Sequence, residues 1–276
     1  MRSLARPSGT RASFLIASTL ALLSPLALVA WVSSSSPPRI YTTALGESRR
    51  VVLGQHAVAN LNTSSALTVA TTPEACDVVL KSGEALFEIR RDGPRQVRVT
   101  AGNAILHTEA STFAVRLRDD DHIDVLVRKG TVVLIAFRAA QTPDAAASGS
   151  AATVRTFTDT PLTASQSARV SLTGVSLKTL SDAEVARRLE WTGGYLAFSG
   201  ETLGEVAEEF NRYNPQRMVV DDPDLRRLRI GGKFQSTDPE GFARALRPMG
   251  VQRLDPHDAD PHGETIRLVG VRSETR

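Results

Sequence analysis

This sequence predicts a mainly β chain followed by a small α+β unit, with one N-terminal membrane-spanning helix ahead of both. Three observations carry that prediction. Ala12 to Pro38 runs without a charge, and its apolar heart is Phe14 to Val32. Arg39 to Phe137 is a succession of short apolar runs of strand length, punctuated by Gly54, Gly83, Gly93, Gly102 and Gly130 where turns belong. From Ser181 onward, helix-start signals and 3.6-residue spacing alternate with strand-like runs. Composition agrees: of 276 residues, 41% are apolar and 23% charged, which is globular rather than disordered. Aromatics at 5% leave the core to Val, Leu, Ile and Ala.

As a helix, residues 14–32 are roughly 28 Å long against a hydrocarbon core of ~30 Å. Arg2, Arg6 and Arg11 lie in the short tail 1–13, which favours a cytoplasmic N-terminus and an exported remainder. Trp31 sits at the exported end and is the expected membrane-interface residue, because an indole suits that boundary. Pro25 is tolerable in a spanning helix. The alternative is a cleaved signal peptide of the same polarity. Against it, the run exceeds the usual apolar region of about 7–15 residues. Cleavage after Ala30 or Ser34 would also put Leu28 or Val32 where a small residue is preferred. Both readings export the rest of the chain.

Residues 33–44 read as a spacer, opening with the turn-rich SSSSPP. The β domain is expected over 45–137. Within it Phe113, Val115 and Leu117 alternate with Thr112, Ala114 and Arg116, as in a half-buried strand. This spacing fits an all-β sandwich, a barrel or a β-helix-like stack. Residues 138–166 are small, polar and aperiodic, which reads as a linker, and 167–180 holds a candidate returning strand at Arg169 to Leu172.

Over 181–271 the order is that of a small α+β domain. Ser181 with Glu184 and Thr202 with Glu205 are capping-box pairs, and Leu203, Val206, Ala207 and Phe210 share a helix face. Tyr195 to Phe198, Arg217 to Val220, Leu228 to Phe234 and Thr265 to Val269 read as strands. Asp238 followed by Pro239 opens a helix that runs to Leu246.

Chemistry is sparse. There is no G-x-S-x-G, H-E-x-x-H, Walker loop or dinucleotide-binding glycine motif, so no enzyme, catalytic residue or cofactor is expected. The net charge of +3 is small and dispersed, which argues against nucleic acid. Cys76 is the single cysteine, which excludes an intramolecular disulfide and reads as an inert apolar side chain. Asp255 to His262 gathers two histidines and three aspartates, but its prolines make it a polar turn rather than a metal site. Asp119, Asp120 and Asp121 read as a solvated hairpin tip, so no metal ligands are expected. Trp191 and Phe198 flank a strand and are core candidates. Asn211, Arg212, Tyr213 and Asn214 end a helix, either as a cap with one buried aromatic or as a partner contact rich in Arg and Tyr. These four are the candidate partner-binding residues.

Two blocks resemble the FecR family. Val79-Leu80-Lys81-Ser82-Gly83-Glu84-Ala85-Leu86-Phe87-Glu88-Ile89, with Val97-Arg98-Val99 after it, resembles that family's central block. Leu61-Asn62-Thr63-Ser64-Ser65 is similar to its L-N-x-x-S element, and Val125 to Val132 to its V-x-V-x-x-G-x-V strand. Gly54-Gln55-His56 and Glu109-Ala110-Ser111 depart from its usual turns. The second block holds Leu189-Glu190-Trp191, Gly194 to Phe198, Asn211-Arg212-Tyr213-Asn214 and Gly232-Lys233-Phe234. It is similar to the C-terminal domain of FecR proteins and to the short N-terminal domain of secretins and TonB-dependent receptors.

The resemblance implies an inner-membrane, single-pass signal transducer whose bulk is periplasmic. Such a protein senses the signalling domain of a TonB-dependent outer-membrane transporter and regulates an extracytoplasmic-function sigma factor. Here only about a dozen residues precede the apolar run, too few for the family's sigma-binding domain. The expected contact with the sigma factor is therefore direct or through a separate membrane partner. The alternative is a periplasmic scaffold or secretion-associated binding protein without sigma control.

Overall fold

Alternation of apolar and polar residues builds a two-layer β domain, on whose outer surface the α+β domain lies. The computed structural model describes residues 37–54, 57–72, 75–91, 96–118, 122–140, 154–254 and 265–270. The expected span 14–32 with Trp31, the acidic run 119–121 and the polar turn 255–262 lie outside them. Among the described residues no helix is long and apolar enough to cross a membrane.

The strands are β1 (Arg39–Thr42), β2 (Arg49–Val52), β3 (Ala57–Leu61), β4 (Ala66–Thr71), β5 (Ala75–Ile89) and β6 (Gln96–Ala101). They continue with β7 (Ala104–Thr108), β8 (Ser111–Leu117), β9 (Ile123–Ala140), β10 (Val154–Thr163), β11 (Gln166–Ser171) and β12 (Gly174–Thr179). One layer is ordered β1-β4-β5-β6-β7-β9-β10, the other β2-β3-β5-β8-β9-β11-β12. Among the described strands of this domain, only β5 and β6 pair in parallel. The long strands β5 and β9 belong to both layers, which makes the sandwich one of the expected architectures. The β-helix-like stack is not formed.

Sharing a strand requires its inward face to change parity, since side chains alternate strictly along it. In β5 the residues in the β core are Cys76, Val78 and Leu80, then Ala85, Phe87 and Ile89. In β9 they are Ile123, Val125 and Val127, then Val132, Leu134 and Ala136. Each exchange occurs at a one-residue bulge. Ala66 faces Ser82 while Leu67 faces Leu80, leaving Lys81 extra; Thr112 faces Lys129 while Phe113 faces Val127, leaving Arg128 extra. A glycine with positive φ follows each bulge, Gly83 at +81° and Gly130 at +83°. Both halves of each strand thereby point into one core, centred on the stacked rings of Phe87 and Phe113.

Within the expected linker 138–166, the described residues are mostly strand: 138–140 close β9 and 154–163 form β10. β10 pairs with β9 from Val154 opposite Ala140 to Thr163 opposite Thr131, and Leu162 is fully buried. Pro161 is compatible with this strand because β10 is an edge strand that pairs on one side only among the described residues. The candidate returning strand is β11, and β12 follows it as a hairpin partner. β1 lies inside the expected spacer. The β domain therefore runs from Arg39 to Thr179 rather than over 45–137.

The α+β domain contains α1 (Asp182–Arg188), β13 (Tyr195–Thr202), α2 (Leu203–Asn211), β14 (Arg217–Val220) and α3 (Pro223–Arg226). β15 (Arg229–Gln235), α4 (Pro239–Ala245), β16 (Val251–Arg253) and β17 (Thr265–Gly270) complete it. Both expected capping boxes form, at Ser181–Glu184 and Thr202–Glu205. Asp238 accepts from the Gly241 amide at 2.7 Å and caps α4. Two small sheets, β13-β15 and β14-β17-β16, share an aromatic core with α2 and α4. Phe210 and Phe242 stack at 4.6 Å between ring centres, and Phe234 meets Phe242 edge-on at 4.9 Å. Trp191 is buried with this core and Phe198 packs on it.

Candidate functional site

The two domains meet along the outer surface of β5, β8 and β9. Leu86, Ala114 and Leu126 stand opposite one another across these strands, and all point away from the β core. They are nevertheless buried, at 3%, 6% and 7% exposure, because they belong to the core of the α+β domain.

Beside this apolar row sits a buried polar cluster. The Arg212 guanidinium lies 3.0 Å from Glu84 Oε2 and also pairs with Glu209, one turn earlier on α2. Glu209 Oε2 in turn lies 3.0 Å from the Arg116 guanidinium of β8. Asn62 donates through Nδ2 to Glu84 at 2.9 Å and to the Tyr213 hydroxyl at 2.8 Å. Thr63 donates its hydroxyl to the Arg212 carbonyl at 3.0 Å and accepts from the Gly46 amide at 2.8 Å. Two carboxylates thus face two guanidiniums, which is the balance a buried cluster needs.

Environment fixes the charges. Burial pushes the Glu209 carboxyl up, but Arg212 and Arg116 outweigh it and hold Glu209 below the usual carboxylate range. Burial disfavours the Arg212 cation, yet Glu209 and Glu84 push its pKa up, so it stays charged. Burial and then Glu84 push the Tyr213 phenol up, which keeps it a neutral hydroxyl.

The four candidate residues divide into two pairs. Asn211 joins the end of α2 to β14, donating to the Met218 carbonyl at 2.9 Å and accepting from its amide at 2.6 Å. Asn214 donates to the carbonyls of Phe210 and Ser236 at 2.9 and 2.8 Å. Both therefore hold the α+β domain together. Arg212 and Tyr213 face the β domain, so the surface they bind here belongs to this chain. An external partner reaches them only where the domains part.

Asn62, Glu84, Arg116 and Glu209 complete the cluster and were not singled out as site residues from the sequence. A signal for two of them was present: Asn62 lies in the L-N-x-x-S element and Glu84 in the Gly83-Glu84-Ala85 motif. A cleft of about 250 Å³ opens beside the cluster, lined by Gly46, Asn62, Trp191, Tyr195, Tyr213 and Ser236 among others. Its lining offers no charged side chain or histidine. Among the described residues, no three His, Cys, Asp or Glu side chains are placed to hold a metal. Burial pushes the Cys76 thiol up, the condition of an unreactive cysteine.

Residues 39–133 match the family model described as FecR protein. No curated protein matches the chain. Two crystal structures of a candidate anti-sigma factor from Parabacteroides distasonis share its fold, each at 20% identity and a TM-score of 0.61. The match covers 85% and 84% of this chain and 99% of each of theirs, a share too large for the β domain alone. Residues 39–133 of this chain are thus a FecR domain.

Proposed function

We propose that this chain is an inner-membrane signal transducer in sigma-factor regulation. Its α+β domain receives the signalling domain of a TonB-dependent outer-membrane transporter, and its FecR domain passes that event toward the membrane. The output reaches an extracytoplasmic-function sigma factor directly or through a separate membrane partner. In this reading residues 14–32 anchor the chain, with Trp31 at the interface and the bulk in the periplasm. The FecR domain at residues 39–133 and the candidate anti-sigma factors of like fold support the regulatory class.

The observation that carries the reading is the buried cluster joining Arg212 and Tyr213 to Asn62 and Glu84. It ties the proposed receiving domain to the FecR domain by charge-assisted contacts, so an event at one is felt by the other. A partner that takes hold of Arg212 and Tyr213 competes with this contact and changes how the domains sit. The test is crosslinking of the full-length protein in its native membranes, followed by mass-spectrometric identification of what is captured. A TonB-dependent transporter together with a sigma factor or a small membrane partner is the expected catch. Secretion or cell-wall components alone would leave the family fold without the regulatory role.

A further inference from the structure

One end of the β domain concentrates unpaired positive charge. Ala57 faces Ile89, Ile89 faces Ser111, and Ser111 faces Gly130, so these positions share one end of their layer. The Thr108 hydroxyl bonds the Thr131 carbonyl at 3.0 Å, which ties the end of β7 in the other layer to the same end. The Thr71 hydroxyl bonds the Leu53 carbonyl at 3.3 Å, and Arg39 faces Val69 two residues away, so β1 begins there too. Arg39, Arg91, Arg128 and Lys129 are all exposed at this end, and none has an ion-pair partner among the described residues. Three other arginines of the outer surface contrast with them: Arg50 pairs with Glu88, Arg98 with Asp77 and Arg169 with Asp124. Among the described residues, the exposed carboxylates near this end are Glu109 and Asp77, and Asp77 is taken up by Arg98. Two large apolar side chains are exposed on the edge strands at this end, Ile40 next to Arg39 at 69% and Val52 at the end of β2 at 66%.

We propose that this end of the FecR domain docks on an anionic membrane surface. Unpaired Lys and Arg beside exposed Ile and Val suit a lipid interface, where cations meet headgroups and apolar tips enter the acyl boundary. Nucleic acid would use the charges but leave Ile40 and Val52 in water. The position along the chain points the same way. Six residues, Ser33 to Pro38, separate the apolar run from Arg39, and six residues span at most about 20 Å. This part of the argument rests on the anchored reading above. The α+β domain lies away from this end: it covers Leu86, Ala114 and Leu126 and pairs with Glu84 and Arg116, further along the same strands. Docking at the basic end therefore leaves the α+β domain uncovered.

The fragment 37–276 contains both hydrophobic cores complete, so it folds without the apolar run. Its binding is measured by co-sedimentation with vesicles of phosphatidylglycerol and phosphatidylcholine, against vesicles of phosphatidylcholine alone. Binding to the anionic vesicles, lost at high salt, is expected. Combined Arg91→Glu, Arg128→Glu and Lys129→Glu should weaken it by on the order of 100-fold or more, from about tenfold or less per cation. These side chains are exposed, so the melting temperature should stay put. Ile40→Ser with Val52→Ser should weaken binding without changing its salt dependence. Equal binding to neutral vesicles, no binding, or binding retained in the triple variant would overturn the proposal. Full displacement by a short DNA duplex at equal phosphate concentration would also overturn it, because the end would then be a general polyanion site. Alkaline extraction of the full chain from membranes tests the anchor separately, so either reading can fail alone.

Discussion

Arg212 holds two carboxylates at once, and its removal is the harshest single change available at the domain contact. Without it, Glu84 and Glu209 remain in a site that is only 11% and 23% exposed at their side chains, with Arg116 as the sole cation left to Glu209. Breaking a buried pair on one side costs about 3–5 kcal/mol, whereas a neutral hydrogen bond is worth roughly 0.5–1.5 kcal/mol. Urea unfolding should therefore rank Arg212→Ala well below Tyr213→Phe, which loses only the bond from Asn62. Equal losses would mean that the guanidinium is solvated rather than buried. The cluster also fixes a pH dependence. Glu209 has a folded pKa below its unfolded value, so its contribution is complete above the ordinary carboxylate range and fades as pH falls through the depressed value. Acid titration of thermal stability should show a steeper fall in the native protein than in Glu209→Gln. A parallel fall in both would assign the acid limb to other carboxylates.

Among the elements, the two shared strands depend on their bends. A Cβ on Gly83 would lie 2.2 Å from Ser65 Oγ and 2.6 Å from Ser65 Cα; one on Gly130 would lie 2.4 Å from the Ala110 carbonyl oxygen. Gly194, at φ +82°, has nothing within 4 Å of such an atom. Gly194→Ala should thus cost only the left-handed backbone term of roughly 1–2 kcal/mol. Gly83→Ala and Gly130→Ala should cost about 1–3 kcal/mol more, because backbone and a buried serine must move. Chemical denaturation of the three variants checks the order. The strands themselves were legible as apolar runs between glycines, and the helices as capping boxes, because both are local patterns. β10 was not legible: Pro161 and the small polar residues before it hide a strand whose pairing depends on β9. The bulges at Lys81 and Arg128 were hidden for the same reason, since a parity change only has meaning once a strand serves two layers. At the candidate site, the special character of Asn211 to Asn214 was readable but its counterpart was not. Asn62 and Glu84 lie about 150 and 130 residues from Tyr213 and Arg212, and no spacing rule links positions that far apart.

For the whole molecule, the sequence did carry one trace of the domain contact. Ala85-Leu86-Phe87, Phe113-Ala114-Val115 and Val125-Leu126-Val127 are unbroken apolar triplets on three adjacent strands, where a strand with one wet face would alternate. Their middle members are the row that the α+β domain covers. The two domains should therefore unfold together, because separating them exposes that row and leaves the Arg212 cluster half-satisfied. Leu86→Asp with Leu126→Asp places unpaired carboxylates in the seam while leaving the β core untouched, since both side chains point away from Phe87 and Phe113. Scanning calorimetry of the native protein should show one transition, and the double variant two, with the β domain still folded when the α+β domain has detached. Limited proteolysis should then cut near Leu180, which with Ser181 joins β12 to α1 and is 4% exposed in the joined state. A single lowered transition without new cleavage would place the coupling in the chain connection rather than in the seam. A chain whose α+β domain can part from its β domain while the β domain stays folded has the mechanical property that the signal transfer proposed above requires.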